Sequence, residues 1–121
     1  MQMSTNSREK GRKAEDLAVS YLVKNDFKIL QRNYAFSNNF KGGEIDIIAV
    51  YKNTIHFIEV KARETDNFGL GRESVTRPKQ QSIRKMATHY LATNKIYGEV
   101  HVSFDVIEIS NSKVDYFENC F

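Results

Sequence analysis

Two apolar strings separated by Lys52-Asn53 set the tightest limit on how this chain folds. Glu44-Ile45-Asp46-Ile47-Ile48-Ala49-Val50-Tyr51 precedes the pair, and Thr54-Ile55-His56-Phe57-Ile58-Glu59-Val60-Lys61 follows it. Runs this rich in β-branched and aromatic residues read as strands. Two residues between them read as a hairpin turn, whose length fixes the register. Tyr51 then faces Thr54, Val50 faces Ile55, Ile48 faces Phe57 and Asp46 faces Glu59, with Glu44 opposite Lys61 one step on. Side chains alternate along a strand, so Glu44, Asp46, Glu59 and Lys61 are expected on one side of the sheet.

Two carboxylates directly opposed, with Cβ atoms roughly 5 Å apart, repel one another. Their neighbours Ile48, Val50, Ile55 and Phe57 are apolar, so the repulsion is poorly screened. A shared proton, the ammonium of Lys61 or a divalent cation would relieve it. Paired carboxylate oxygens with room for water and phosphate suit Mg²⁺ or Mn²⁺. The plainer reading is a solvated sheet edge at which Lys61 pairs with Glu44, though so regular an apolar run argues against it.

Asp46, a gap of twelve residues, then Glu59-Val60-Lys61 resembles the Asp…Glu-X-Lys signature of the PD-(D/E)XK nuclease superfamily. The longer strings Gly43-Glu44-Ile45-Asp46-Ile47-Ile48-Ala49 and Phe57-Ile58-Glu59-Val60-Lys61-Ala62-Arg63 are similar to one branch, the YraN-type family of small bacterial proteins. Arg32-Asn33 also matches an Arg-Asn pair of that family, and Phe104-Asp105-Val106 matches a further string, though the sequence names no partner for Asp105. The family resembles the archaeal Holliday-junction resolvases in fold, and the match covers most of the chain. The resemblance implies a restriction-endonuclease-like core and a metal-dependent nuclease acting on DNA, branched or damaged DNA included. By the same resemblance Asp46 and Glu59 ligate Mg²⁺ or Mn²⁺, the carbonyl of Val60 is a further ligand, and Lys61 orients or deprotonates the attacking water. In resolvase-like nucleases a first-helix glutamate completes the metal site, and Glu15 in Gly11-Arg12-Lys13-Ala14-Glu15 matches that position. A homodimer is implied by that analogy alone.

The rest of the chain supplies a frame for this hairpin. Between Arg8 and Asn25, Ala14, Leu17, Ala18, Tyr21 and Leu22 recur at helical spacing, which predicts an amphipathic helix. Glu15 lies at the margin of that apolar stripe, where an acid points toward the sheet or pairs with a neighbouring Lys or Arg. Arg8, Lys10, Arg12 and Lys13 crowd the first turns, against the helix dipole, which hints at an external anion. Residues 1–7 read as a disordered lead-in and residues 8–121 as one domain. Residues 27–36 read as a strand, and residues 37–43 as a loop in which Gly42-Gly43 lets backbone approach the acids. Residues 64–76 read as a polar loop. Gly69-Leu70-Gly71 within it is no phosphate-binding fingerprint, because no helix follows at once.

Thr76 or Arg77 then caps a helix with Pro78 in its first turn. Lys79, Ile83, Met86, Ala87, Tyr90 and Leu91 share that helix's inner face. Lys79 either snorkels or reaches a phosphate held over the carboxylates. Arg63, Arg77, Lys85, Arg12 and Lys13 are looser candidates for phosphate contacts. Strands are expected over 100–109 and 113–117, joined by a turn at Asn111-Ser112.

A length of 121 residues with 40% apolar content and a mean hydropathy of −0.53 fits one globular domain and excludes an apolar membrane-spanning helix. No secretory leader opens the chain and Cys120 is the lone cysteine, so a cytoplasmic location is expected. His56, His89 and His101 lack metal-ligand spacing, which argues against structural zinc. The net charge of +3 and a pI near 9.0 suit a polyanionic partner.

The expected architecture is α/β, a mixed central sheet flanked by two helices, with a nuclease as the leading function. A non-catalytic nucleic-acid-binding module on the same fold is the rival, and a protein–protein adaptor using exposed sheet edges is a third reading. Neither gives a reason to set acids opposite each other beside a lysine.

Overall fold

The hairpin about Lys52-Asn53 forms with the register its turn dictates: Tyr51 pairs with Thr54, Val50 with Ile55, Ile48 with Phe57 and Ile47 with Ile58. In the computed structural model, which describes residues 3–35, 43–63 and 75–121, with side chains from Glu9 onward, these strands are β2 (Ile45–Tyr51) and β3 (Thr54–Arg63). β1 (Lys28–Tyr34) adds antiparallel to β2. β4 (His101–Ser110) runs parallel to β3, and β5 (Lys113–Phe117) closes the far edge antiparallel to β4. The sheet is thus mixed, in the order β1-β2-β3-β4-β5. The one parallel step needs a crossover connection, and it contains helix α2 (Arg77–Thr93).

Each helix covers one face of the sheet. α1 (Met3–Lys24) buries Ala14, Ala18 and Leu22 against Ile47, Ala49, Ile58, Ile107 and Ile109. α2 buries Ile83, Met86, Ala87 and Tyr90 against Ile48, Ile55, Phe57, Phe104 and Val106. The result is an α/β fold, a five-stranded mixed sheet with two helices, consistent with a restriction-endonuclease-like core. Thr76 caps α2, its side chain accepting from the Lys79 N–H, with Pro78 in the first turn. That pairing of cap and proline fixes where the helix starts.

Two expectations shift. α1 begins at Met3 rather than Arg8, so the lead-in expected over residues 1–7 is helical from Met3. Ile45 packs on the α2 side while Ile47 packs on the α1 side, although strict alternation would put both on one face. β2 therefore changes face around Asp46. The loops expected over 37–43 and 64–76, with Gly42, Gly69 and Gly71, lie mostly outside the described residues.

Asp105, for which the sequence offered no partner, ties the far side of the sheet together. It is fully buried, and its carboxylate accepts from His56 Nδ1, the Ser103 hydroxyl, the Tyr116 hydroxyl and the Asn119 N–H. Burial, with the Asp105 charge beside it, pushes the Tyr116 hydroxyl well above its usual pKa, so Tyr116 stays a donor. Donors from β3, β4, β5 and the C-terminal segment meet on one acceptor. Asp105→Ala leaves several buried donors unmatched and is expected to cost about 3 kcal/mol or more. Tyr116→Phe is expected to cost about 1–2 kcal/mol. Urea unfolding compares them, and equal losses would show that the carboxylate is not the shared hub.

Candidate metal centre at the open end of the β2–β3 hairpin

The β2–β3 ladder stops at Ile47 and Ile58, one pair short of the acids. Side chains take over the backbone groups that the ladder leaves. The Val60 N–H donates to Asp46 Oδ2 at 2.8 Å, and the Asp46 N–H donates to Glu59 Oε2 at 3.4 Å. Asp46 and Glu59 are thereby locked beside each other, as the hairpin register requires. The Val60 N–H thus fixes Asp46, beside the Val60 carbonyl expected above as a ligand.

Two further acids come in from α1 and from the approach to β2. Asn33 holds both: its amide donates to Glu44 Oε2 at 2.7 Å and to Glu15 Oε2 at 3.1 Å. Arg32 donates to Glu15 Oε1 at 3.3 Å and to Asp16 at 3.0 Å. Asn33 takes a left-handed φ of +53°, a conformation that Asn tolerates better than most residues. Glu15, Glu44 and Asp46 each bring a carboxylate oxygen to within 4.8 Å of the others. Glu44 is thus taken by Asn33 and not by Lys61, the partner the register suggested.

From the other side, Lys79 in the first turn of α2 brings Nζ to 3.8 Å from Glu59 Oε1. Gly43 makes room for it, with a φ of +88° and a position where a Cβ would fall 2.8 Å from Lys79 Nζ. Lys61 acts on Glu59 through space, and more weakly than Lys79. The acids therefore gather at the end of the sheet between the two helices, rather than on one of its faces.

The electrostatics are those of carboxylates short of positive charge. Burial, reinforced by Asp46, pushes Glu59 up to about 8 despite Lys79 and Lys61. Burial, reinforced by Glu15 and Glu44, pushes Asp46 up to about 6 despite the Val60 N–H. Hard oxygen donors in this number and closeness fit Mg²⁺ or Mn²⁺. Asp46, Glu15 and Glu44 would hold such an ion, with Glu59 against them. The donor set expected from the sequence was Asp46, Glu59, Glu15 and the Val60 carbonyl; Glu44 is the acid that the structure adds beside them.

The remaining candidates spread outward. Arg63 continues β3 and donates to the buried Glu108 at 3.4 Å. Arg12 and Lys13 lie exposed on α1, and Arg77 lies exposed at the start of α2. His56, Asp105 and Glu118 also bring ligand atoms within 4.8 Å of one another, but Asp105 already serves four donors there.

A family model described as an uncharacterised protein family, UPF0102, matches residues 14–109. The chain belongs to the UPF0102 family. A UPF0102 protein of Fusobacterium nucleatum is 45% identical over 94% of this chain and 92% of its own length. One from a Sulfurihydrogenibium species is 42% identical over 93% and 94%, and one from Thermodesulfovibrio yellowstonii is 44% identical over 93% and 96%.

Glu15, Asn33, Glu44, Asp46, Glu59, Lys61 and Lys79 of this UPF0102 chain all fall inside the matched span. Sequence reasoning had no role for Asn33 beyond the Arg32-Asn33 match and left the role of Glu44 open. The usable signal was the acid two residues before Asp46, together with an Asn able to turn out of a strand.

The raised carboxylates make stability pH-dependent. Each binds its proton more tightly folded than unfolded, so their contribution is full below about pH 4 and is lost as pH rises through about 6 and about 8. In EDTA, the melting temperature of the UPF0102 protein should fall between pH 5.5 and pH 8.5 by about 5 °C or more beyond that of Glu59→Gln. Parallel curves for the two proteins would show that Glu59 carries no such proton.

Proposed function

We propose that this protein is a metal-dependent phosphodiesterase that hydrolyses DNA. The observation that carries the reading is the gathering of Glu15, Glu44 and Asp46 within 4.8 Å, beside a buried Glu59 and two lysines. A structural role alone gives no reason to collect acids that raise one another's pKa.

Mg²⁺ or Mn²⁺, when bound, polarises a phosphoryl oxygen and lowers the pKa of a coordinated water. The chain's own residues supply the rest. Asp46, fixed by the Val60 N–H, and Glu15 and Glu44, fixed by Asn33, present oxygens in a set geometry. Glu59 carries a proton near neutral pH or gives it up as positive charge approaches. Lys61 orients the attacking water and offsets charge growing on the phosphate. Lys79, on the first turn of α2, holds the phosphate over the acids. Arg12, Lys13, Arg63 and Arg77 make sequence-independent backbone contacts. The dimer implied by the resolvase likeness belongs to this proposal.

A non-catalytic nucleic-acid-binding module draws on one observation: Lys79 stands 3.8 Å from Glu59, so that acid has a partner without an ion. Lys61 separates the two readings. Branched, flapped and single-stranded DNA incubated with Mg²⁺ or Mn²⁺ should be cut by the wild type and not by Asp46→Asn. Lys61→Ala should lose on the order of a hundredfold in cleavage rate while DNA affinity changes only a few-fold, about one phosphate contact's worth. No cleavage by the wild type, with salt-sensitive binding kept, would make the binding module the better reading.

A further inference from the structure

At the end of β2 away from the acids, a cavity of about 320 Å³ opens between the last turn of α1 and the sheet. Its walls are aromatic: Tyr21 of α1, Phe27, Tyr51 of β2 and Tyr116 of β5. Asn25, just past α1, and Glu118, just past β5, complete the lining with polar groups. None of the described residues lining it is basic. Phe27 holds the walls together, stacked on Tyr51 with ring centres 5.0 Å apart and edge-on to Tyr116 at 5.9 Å. Tyr21 meets Tyr116 edge-on at 6.1 Å.

The polar groups left open in that lining are acceptors. Glu118 is exposed, and its carboxylate makes no hydrogen bond or ion pair with a described residue. It brings an oxygen within 4.8 Å of ligand atoms of Asp105 and His56, so it leans inward over the sheet. The Asn25 amide nitrogen donates to the Tyr21 carbonyl at 2.7 Å, which leaves its Oδ1 as an acceptor. The Tyr116 hydroxyl is spent on Asp105. A carboxylate and an amide oxygen among aromatic rings select a cation rich in donors. Rings elsewhere in this protein already hold cations. The Arg84 guanidinium lies 4.6 Å from the centre of the Phe104 ring, and Lys52 Nζ lies 5.3 Å from that of Tyr51, outside the cavity lining.

Size and shape narrow the choice of cation. A bare ion would fill little of the space, whereas cavities of about 300 Å³ and more accept small organic groups. An ammonium is compact and strongly hydrated. A guanidinium is planar and weakly hydrated, stacks on aromatic rings and presents a fork of N–H groups that matches a carboxylate. We infer that this cavity binds a guanidinium group on an alkyl chain, the head of an arginine side chain, with its plane against the rings and its fork on Glu118. The site stands apart from the acids of the candidate metal centre, because Tyr51 lies roughly 17 Å of strand along β2 from Asp46. It therefore does not rest on the nuclease reading.

The test follows backbone amide shifts of the ¹⁵N-labelled full chain during titration with N-acetyl-arginine methylamide. Its citrulline and lysine counterparts are titrated in parallel, the first uncharged with nearly the same shape, the second charged with a different head. The arginine compound should move the amides of Asn25, Phe27, Tyr51 and Glu118 and saturate. Citrulline should bind at least about tenfold more weakly, for want of charge on the donors, and lysine at least about threefold more weakly, for want of a planar fork. Glu118→Gln should weaken the arginine compound about tenfold with no loss in melting temperature. Tyr21→Leu, which removes one aromatic wall, should weaken it about fivefold. Glu118→Gln, at an exposed position, decides the matter even where Tyr21→Leu does not fold. Citrulline or lysine binding as tightly as arginine, unchanged affinity in Glu118→Gln, or shifts centred elsewhere would overturn the inference. Free L-arginine and an arginine flanked by glycines in a capped peptide separate the sources. Tighter binding of the peptide assigns the group to a protein partner, equal binding assigns it to a small guanidino compound, and both results uphold the site.

Discussion

Where β2 and β3 part after Ile47 and Ile58, the backbone groups that would have paired with each other go to side chains instead: the Val60 N–H to Asp46 and the Asp46 N–H to Glu59. These two bonds hold like charges together in a largely apolar surrounding. Burying carboxylates costs several kcal/mol each unless charges or donors compensate. The surroundings compensate in part, through Asn33 for Glu15 and Glu44 and through Lys79 for Glu59. The remainder shows in protons held too tightly by Asp46 and Glu59. The cluster is left short of positive charge at the open end of the sheet, and that shortage is the basis of the proposed cation site.

Asp105 shows what a finished buried carboxylate looks like in the same sheet. It lies completely inside, and four donors from separate segments converge on it. That arrangement has nothing left to bind and serves the packing of β3, β4, β5 and the chain end. Asp46 has one backbone donor at 2.8 Å and two acids pressing on it. The contrast between a satisfied and an unsatisfied carboxylate is the physical basis for assigning structure to one and chemistry to the other.

Much of the fold could be read from local chemistry. A two-residue turn counts the hairpin register without reference to anything distant, and Thr76 with Pro78 marks a helix start in the same way. Asp46 and Glu59 followed from that register, and Glu15 from a helical stripe joined to a family likeness. Other parts depended on events outside any local pattern. Glu44 goes to Asn33 because β2 changes face around Asp46, and period-two alternation carries no sign of that change. Asp105 had no visible partner because its donors come from residues 56, 103, 116 and 119, scattered along the chain. The first turns of α1 were missed because Met1-Gln2-Met3-Ser4-Thr5-Asn6-Ser7 offers no apolar stripe.

The central claim is that Glu15, Glu44 and Asp46 form a divalent-cation site beside Glu59, which holds a proton near neutral pH and gives it up when the cation binds. Calorimetric titration with Mn²⁺ near pH 7, in two buffers of different ionisation heat, tests it most directly, because metal binding to protonated ligands releases protons to the buffer. The account predicts saturable binding whose heat depends on the buffer in the direction of proton release, and a large loss of affinity in Asp46→Asn. Buffer-independent heats, or equal Mn²⁺ affinity in wild type and Asp46→Asn, would contradict it.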